Sequence, residues 1–314
     1  MPKASDMQID SQTTILLKGP FGFGKTLAAS SFCLEGPIHI AYWDKKKPVE
    51  LDHFYRHIIR RPELLSRIEY DVFNSHNANE YLNFMMGLAK GGARHFAYIN
   101  DSVTNMTSGA VNWSLGFRGQ AKGKSKDKDQ IMPDFDEYKI ETSLVTQCLD
   151  IAKALPAHII WTCHPVPGIK IEGSGSNMKI TKTNPIVTYG NKVAGIVPGN
   201  FSEIYHFSRR SEWNAATGSG GIQYFVNTVG SSEDDFAKSN LGLKAELNIT
   251  DRLFYEVWKE AIQKMKETNN ALVEQPTQST ASFVNPFTQP TTQPTQELDR
   301  PTNKKWNSEK GEYQ

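Results

Sequence analysis

Apolar residues fall along this chain in short, almost unbroken runs separated by longer amphipathic stretches. The first run, Ile15 to Leu17 in "TTILLKG", stops at a glycine-rich turn, and Leu27, Ala28 and Ala29 then open a helix. "PIHIAYWD" (37–44) and "HFAYINDS" (95–102) read as buried strands that each end in an acid, "AHIIWTCHP" (157–165) as a fourth strand and "FSEIYHFSRR" (201–210) as a fifth. Such continuous runs belong to strands covered on both faces. Between them, 81–91 has helical periodicity with a glycine stop, and 138–155 places Ile140, Leu144, Leu149, Ile151 and Leu155 along an amphipathic helix. "YFVNTV" (224–229) predicts a strand at the sheet edge, and 251–265 a closing helix capped by Thr250 or Asp251. Strands alternating with helices predict an α/β fold, a mainly parallel twisted sheet flanked by helices.

The pattern fails beyond about residue 268, where Pro, Thr and Gln replace aliphatics. Such a segment buries too little surface to offset chain entropy, so 268–314 is expected to be disordered. The expected organisation is a segment 1–12, an α/β domain 13–267 and this tail, with "VNPF" (284–287) and "KKWNSEKGEY" as short motifs suited to partner binding. Composition changes the picture little. A net charge of +1 restricts any polyanion contact to local patches, and mean hydropathy of -0.50 with no long apolar run argues against a membrane span. Three separated cysteines, Cys33, Cys148 and Cys163, have no metal-ligand spacing and fit a reducing, cytoplasmic setting; the N-terminus lacks the apolar core of a signal peptide.

The chemistry lies in the turn after the first strand. Gly19, Pro20, Phe21, Gly22, Phe23, Gly24, Lys25 and Thr26 match G-x-x-x-x-G-K-[ST] without a gap, between a strand and the helix that Leu27 enters. Glycines let the backbone wrap phosphate oxygens with N–H groups inward, Lys25 reaches the β- and γ-phosphates, and the Thr26 hydroxyl ligates Mg²⁺. The expected ligands are therefore ATP and Mg²⁺. A second acid near the metal is expected at the end of a neighbouring strand, and Asp101 is the candidate, flanked by Asn100 and Ser102 as hydrogen-bond partners for metal-bound water. Asp44 is a candidate to activate water, with Glu50 and Asp52 competing, and His164 ends the fourth strand where it can sense the γ-phosphate.

These pieces in this order resemble the RecA-type ATPase core, and more narrowly the short phage ATP-binding proteins of the Sak-type recombination group. The likeness runs from about 13 to 265 and rests on "GPFGFGKT", "AYINDS", "LPAHIIWTCHP", "VPGNFSEIYHF" and "FAKSNLGL". It implies an oligomeric ATPase, ring or filament, in which His164 couples nucleotide state to DNA binding and Lys238 reaches a neighbouring subunit's nucleotide. Asn240 stands where an Arg is common, and Asp44 where the pattern prefers Glu. The two long segments, 102–137 and 165–200, fall where such proteins carry DNA-contacting loops. The first carries Trp113, Phe117, Arg118, Lys122, Lys124, Lys126 and Lys128; the second carries Lys170, Lys179, Lys182, Tyr189 and Lys192. Cations interleaved with rings suit single-stranded DNA. The implied role is phage or prophage recombination or annealing, with a phage single-strand-binding or annealing protein as a partner of the tail. The alternatives are a packaging or helicase-type motor and a slow nucleotide switch that loads replication proteins.

Overall fold

The computed structural model describes residues 13–43, 49–121, 133, 135–166, 168–172, 179–183, 185–214, 219–230, 237–273, 306–307 and 312–313. Residues 1–270 form one compact unit and 271–314 a second. In the second unit, β12 (Trp306–Asn307) pairs antiparallel with β13 (Glu312–Tyr313).

The first unit is organised by a nine-stranded sheet. Six strands run parallel: β1 (Thr14–Lys18), β2 (Ile38–Tyr42), β3 (Ile68–Val72), β4 (Ala97–Asp101), β5 (His158–Cys163) and the start of β8 (Glu203–Asn214). They lie in the spatial order β3, β2, β4, β5, β1, β8. Antiparallel β9 (Ser219–Asn227) and β11 (Glu246–Asn248) extend the sheet beyond β8, and β10 (Lys238–Ser239) also pairs with β8. The run 224–229 is thus not at the edge: β9 ends there as an interior strand with β11 outside it.

Every residue of β2, β4 and β5 is buried, as their unbroken apolar runs require. Alternation along the strands feeds two cores. Leu16, Ala41, Tyr98, Ile159 and Trp161 face one layer, made by α3 (Ala78–Gly87), α4 (Val103–Ala121), α5 (Phe135–Ala154) and α6 (Asn191–Gly199). Ile15, Leu17, Ile38, Ile40, Ile99 and Ile160 face the other, made by α1 (Lys25–Ser30), α2 (Val49–His53) with the wider turn after it, and α7 (Phe254–Val273). This is the mixed α/β architecture, a mostly parallel sheet flanked by helices, expected from the strand–helix alternation.

Three local expectations are corrected. The segment after Asp101 is not a loop at its start, because α4 occupies it through Ala121. Trp113, expected to meet DNA, is half-buried against the core there, and Arg118 belongs to the same helix. Asn100 does not face a metal: its Oδ1 accepts from Trp43 Nε1 at 2.7 Å and its Nδ2 donates to Met106 Sδ at 3.4 Å. The closing helix starts at Phe254, which leaves Thr250 and Asp251 in the preceding turn rather than at its cap. The second long segment contains the antiparallel pair β6 (Gly168–Glu172) and β7 (Lys179–Thr183). Among the described residues no helix is long and apolar enough to cross a membrane.

Candidate nucleotide-binding site

In an open parallel sheet the ends of the strands face a crevice where neighbouring connections diverge. Here the C-terminal ends of β1, β5 and β4 lie side by side and converge Lys25, His164 and Asp101. Gly22 and Gly24 take φ of 74° and 82°, a left-handed conformation that residues with a Cβ avoid. These two positions turn the chain sharply between β1 and α1. Gly19 serves differently, since a Cβ there would stand 2.8 Å from the Phe207 Cβ on β8.

Lys25 is only 6% exposed, and its ammonium donates to the carbonyls of Gly19 (2.7 Å) and Pro20 (2.9 Å) and to His164 Nδ1 (3.1 Å). A lysine has no acceptor, so His164 Nδ1 must carry the lone pair and Nε2 the proton. Burial lowers Lys25 to about 8; Asp101 opposes the shift. Burial, and then the charge of Lys25, pushes His164 down to about 4, so its imidazole is neutral near pH 7. The Phe21 ring, 74% exposed, stacks on His164 with centroids 3.7 Å apart.

Asp101 is buried and accepts hydrogen bonds from Thr26 Oγ1 (2.6 Å) and Thr162 Oγ1. Burial raises its pKa, which the two hydroxyls and Lys25 counter. A hydroxyl and a carboxylate side by side form the hard-oxygen set that Mg²⁺ takes, usually with several waters. Thr26 and Asp101 therefore fit the metal expected of the motif.

The cleft has a volume of about 940 Å³, large enough for a nucleoside triphosphate. Its phosphate end is Gly22 to Ala28 with Asp101, Ser102 and His164. Its remaining lining mixes apolar and aromatic side chains (Phe54, Ile58, Tyr224, Ile249, Leu253) with polar ones (Arg61, Thr250, Asp251, Arg252), a combination suited to a base and sugar. Sequence reasoning did not find these walls, nor the Thr162 hydroxyl on Asp101.

The water-activating candidates separate. Glu50, on α2, lines the cleft and accepts from Tyr42 OH at 2.5 Å. Asp52 is exposed and paired with Arg56 at 2.7 Å. Asp44 lies outside the described residues, as do Lys122, Lys124, Lys126 and Lys128 and the side chains of Arg118, Lys170, Lys179 and Lys182. Lys192 is exposed on α6. Lys238 is exposed on β10 and does not line its own chain's cleft. The structure thus joins Lys25, Thr26, Asp101 and His164 and leaves Lys238 apart.

No family model matches this chain, and no curated protein does. Among solved structures it is similar to a KaiC-like protein from the hyperthermophilic archaeon Pyrococcus horikoshii OT3. That likeness has 15% identity and a TM-score of 0.40, over 69% of this chain and 78% of the other. The reading of the site therefore rests on its own geometry.

That geometry has a pH consequence. Phosphates placed against Lys25 hold it protonated, whereas in the free protein it loses its proton through about pH 8 instead of 10.5. Nucleotide binding should take up close to one proton near pH 9 and almost none from Lys25 near pH 6.5. Affinity should fall as pH rises above about 8, approaching tenfold per pH unit. Titration calorimetry in buffers of different ionisation enthalpy reads this uptake; equal heats across buffers at pH 9 would contradict it.

Proposed function

We propose that this protein is a Mg²⁺-dependent ATPase that acts on single-stranded DNA as an oligomer, in phage or prophage recombination or annealing. The observation that carries the nucleotide reading is the convergence of Lys25, the Thr26–Asp101 pair and the neutral His164 at the ends of three adjacent parallel strands. The Sak-type likeness of the sequence supports the recombination role.

Thr26 and Asp101 would hold Mg²⁺, whose charge would offset the negative charge that develops on the phosphates. The chain's own groups do the rest. The turn from Gly19 to Gly24 directs backbone N–H groups at the phosphates, and Lys25 leaves its two carbonyl acceptors to meet them. The Asp101 carboxylate, which accepts from Thr26 and Thr162, would hold and orient the metal. Glu50 is placed to take a proton from water, and Tyr42 OH fixes its carboxylate. Once Lys25 turns to phosphate, His164 loses its partner on Nδ1 and is free to reorient, which lets β5 report the nucleotide.

Lys238 then acts across a subunit boundary. The Lys238→Ala protein should bind ATP normally and hydrolyse it poorly. Mixing it with the Lys25→Ala protein should restore part of the activity, since one kind of interface then pairs an intact P-loop with an intact lysine. A fully active monomer, or mixtures no better than either variant, would sink the trans role.

The DNA arm is tested by anisotropy of a labelled oligonucleotide across a salt series. Single-strand binding should show a log–log salt slope that flattens by about 0.7 for each phosphate contact removed. Changing Lys122, Lys124, Lys126 and Lys128 together to Ser should weaken binding and flatten the slope while basal ATP turnover is kept. Unchanged affinity and slope would favour the nucleotide switch that loads other proteins.

A further inference from the structure

Aromatic rings that the two cores do not use are gathered where α5 and α6 begin. Phe135 is 73% exposed, Tyr189 41% and Tyr138 37%. The rings of Tyr138 and Tyr189 come from segments far apart in sequence, yet their centroids lie 6.0 Å apart at an interplanar angle of 41°. Cations flank them. Lys139 places its ammonium 4.3 Å from the centroid of the Phe135 ring, with Asp136 at 3.2 Å, and Lys192 is exposed in the first turn of α6.

The ring pair is held in place. Glu141 on α5 is fully buried, and its carboxylate accepts from the Gly190 N–H at 3.0 Å and from the Tyr189 N–H. The Tyr189 N–H also donates to Thr107 Oγ1 on α4 at 3.2 Å. Gly190 presses against both groups, because a Cβ there would stand 2.5 Å from Glu141 Oε2 and 3.1 Å from Tyr138 Cδ1. Burying a carboxylate is costly, and Glu141 Oε2 has no hydrogen-bond partner among the described residues. Its placement orders one turn and one exposed ring. The same strand of chain is fastened to the nucleotide cleft: two residues before Tyr189, the Val187 N–H donates to the His164 carbonyl at 2.7 Å and the Val187 carbonyl accepts from Thr104 Oγ1 at 2.9 Å.

Partly exposed rings, with Lys139 next to Tyr138 and Lys192 three residues past Tyr189 in the chain, match unpaired bases on a phosphate chain. In a duplex the base faces are already covered by their neighbours, so such rings stack only on a single strand. We infer that Tyr138 and Tyr189, flanked by Lys139 and Lys192, form a stacking platform for the bases of single-stranded nucleic acid. The inference rests on the single-strand reading above and replaces Trp113 as the stacking element. Glu141 is a positioning residue for the platform, acting through the Tyr189–Gly190 turn.

The test compares a labelled oligothymidylate with an abasic strand of the same length, in the full-length protein. The double variant Tyr138→Leu, Tyr189→Leu should bind oligothymidylate about tenfold or more weakly. Its affinity for the abasic strand, and its salt slope, should match wild type, because stacking releases few ions. Tyr138→Phe with Tyr189→Phe should bind both strands as wild type does, which separates loss of a ring from loss of fold. Wild-type binding of oligothymidylate with no loss in the Leu variant overturns the platform and leaves the single-strand reading standing. Failure of wild type to bind either strand overturns both. A Leu variant that loses oligomer mass in light scattering while keeping its affinity for oligothymidylate makes this surface a contact between copies, and overturns the platform as well.

Discussion

Replacing Lys25 by alanine should reduce ATP turnover by at least 10²–10³-fold, the usual cost of losing a preorganised group at developing negative charge. The chain should still fold. Lys25 is a buried cation whose lowered pKa reports that burial disfavours its charge, and its removal opens no apolar core. Asp101→Asn should be as severe for a different reason. The amide nearly preserves shape between Thr26 and Thr162 but removes the charge that holds a divalent ion. Its residual nucleotide binding should lose its dependence on Mg²⁺. Steady-state phosphate release, with thermal melting as the fold control, measures both. Undiminished hydrolysis in either variant would remove the assignment of this cleft.

Glu50→Gln should separate binding from chemistry. The glutamine keeps an acceptor for Tyr42 OH and a similar volume, so the wall of the cleft is preserved. It has no basic carboxylate, so turnover should drop by roughly 10²–10⁴-fold. ATP affinity should hold or rise slightly, since less negative charge faces the phosphates. Asp52→Asn should leave turnover near wild type, because that carboxylate serves Arg56 on the surface. Full activity in Glu50→Gln would return the role to Asp44 or to a group from another subunit.

The difference between these two predictions reflects what one-dimensional reading can reach. The P-loop is contiguous, so its chemistry is written in one eight-residue stretch, and the buried runs of β1, β2, β4 and β5 announce themselves because nothing polar interrupts them. Asp101 and His164 follow from the rule that strand ends face the site. Thr162 could not be found that way, since a threonine in an apolar strand reads as ordinary β-branched filler until β5 is seen beside β4. The strand β3 was missed because it is an edge: Glu69, Tyr70 and Asp71 face solvent, and the alternation is lost. The helix α4 was missed because Asn, Ser, Thr and Gly dilute its stripe of Val103, Met106 and Ala110, which tertiary burial nonetheless makes helical. Trp113 packs on the core rather than standing in a loop, and the exposed rings nearby, Tyr138 and Tyr189, sit on α5 and before α6.

The central claim is that this cleft hydrolyses ATP and that a single strand of DNA governs it. Steady-state ATP hydrolysis by the full-length protein in Mg²⁺, with and without a single-stranded oligonucleotide and with Lys25→Ala as the blank, tests it most directly. The account predicts turnover above the blank that rises severalfold with the single strand and much less with a duplex of equal length. Turnover indistinguishable from the Lys25→Ala protein under both conditions, or a rate indifferent to DNA, would contradict it.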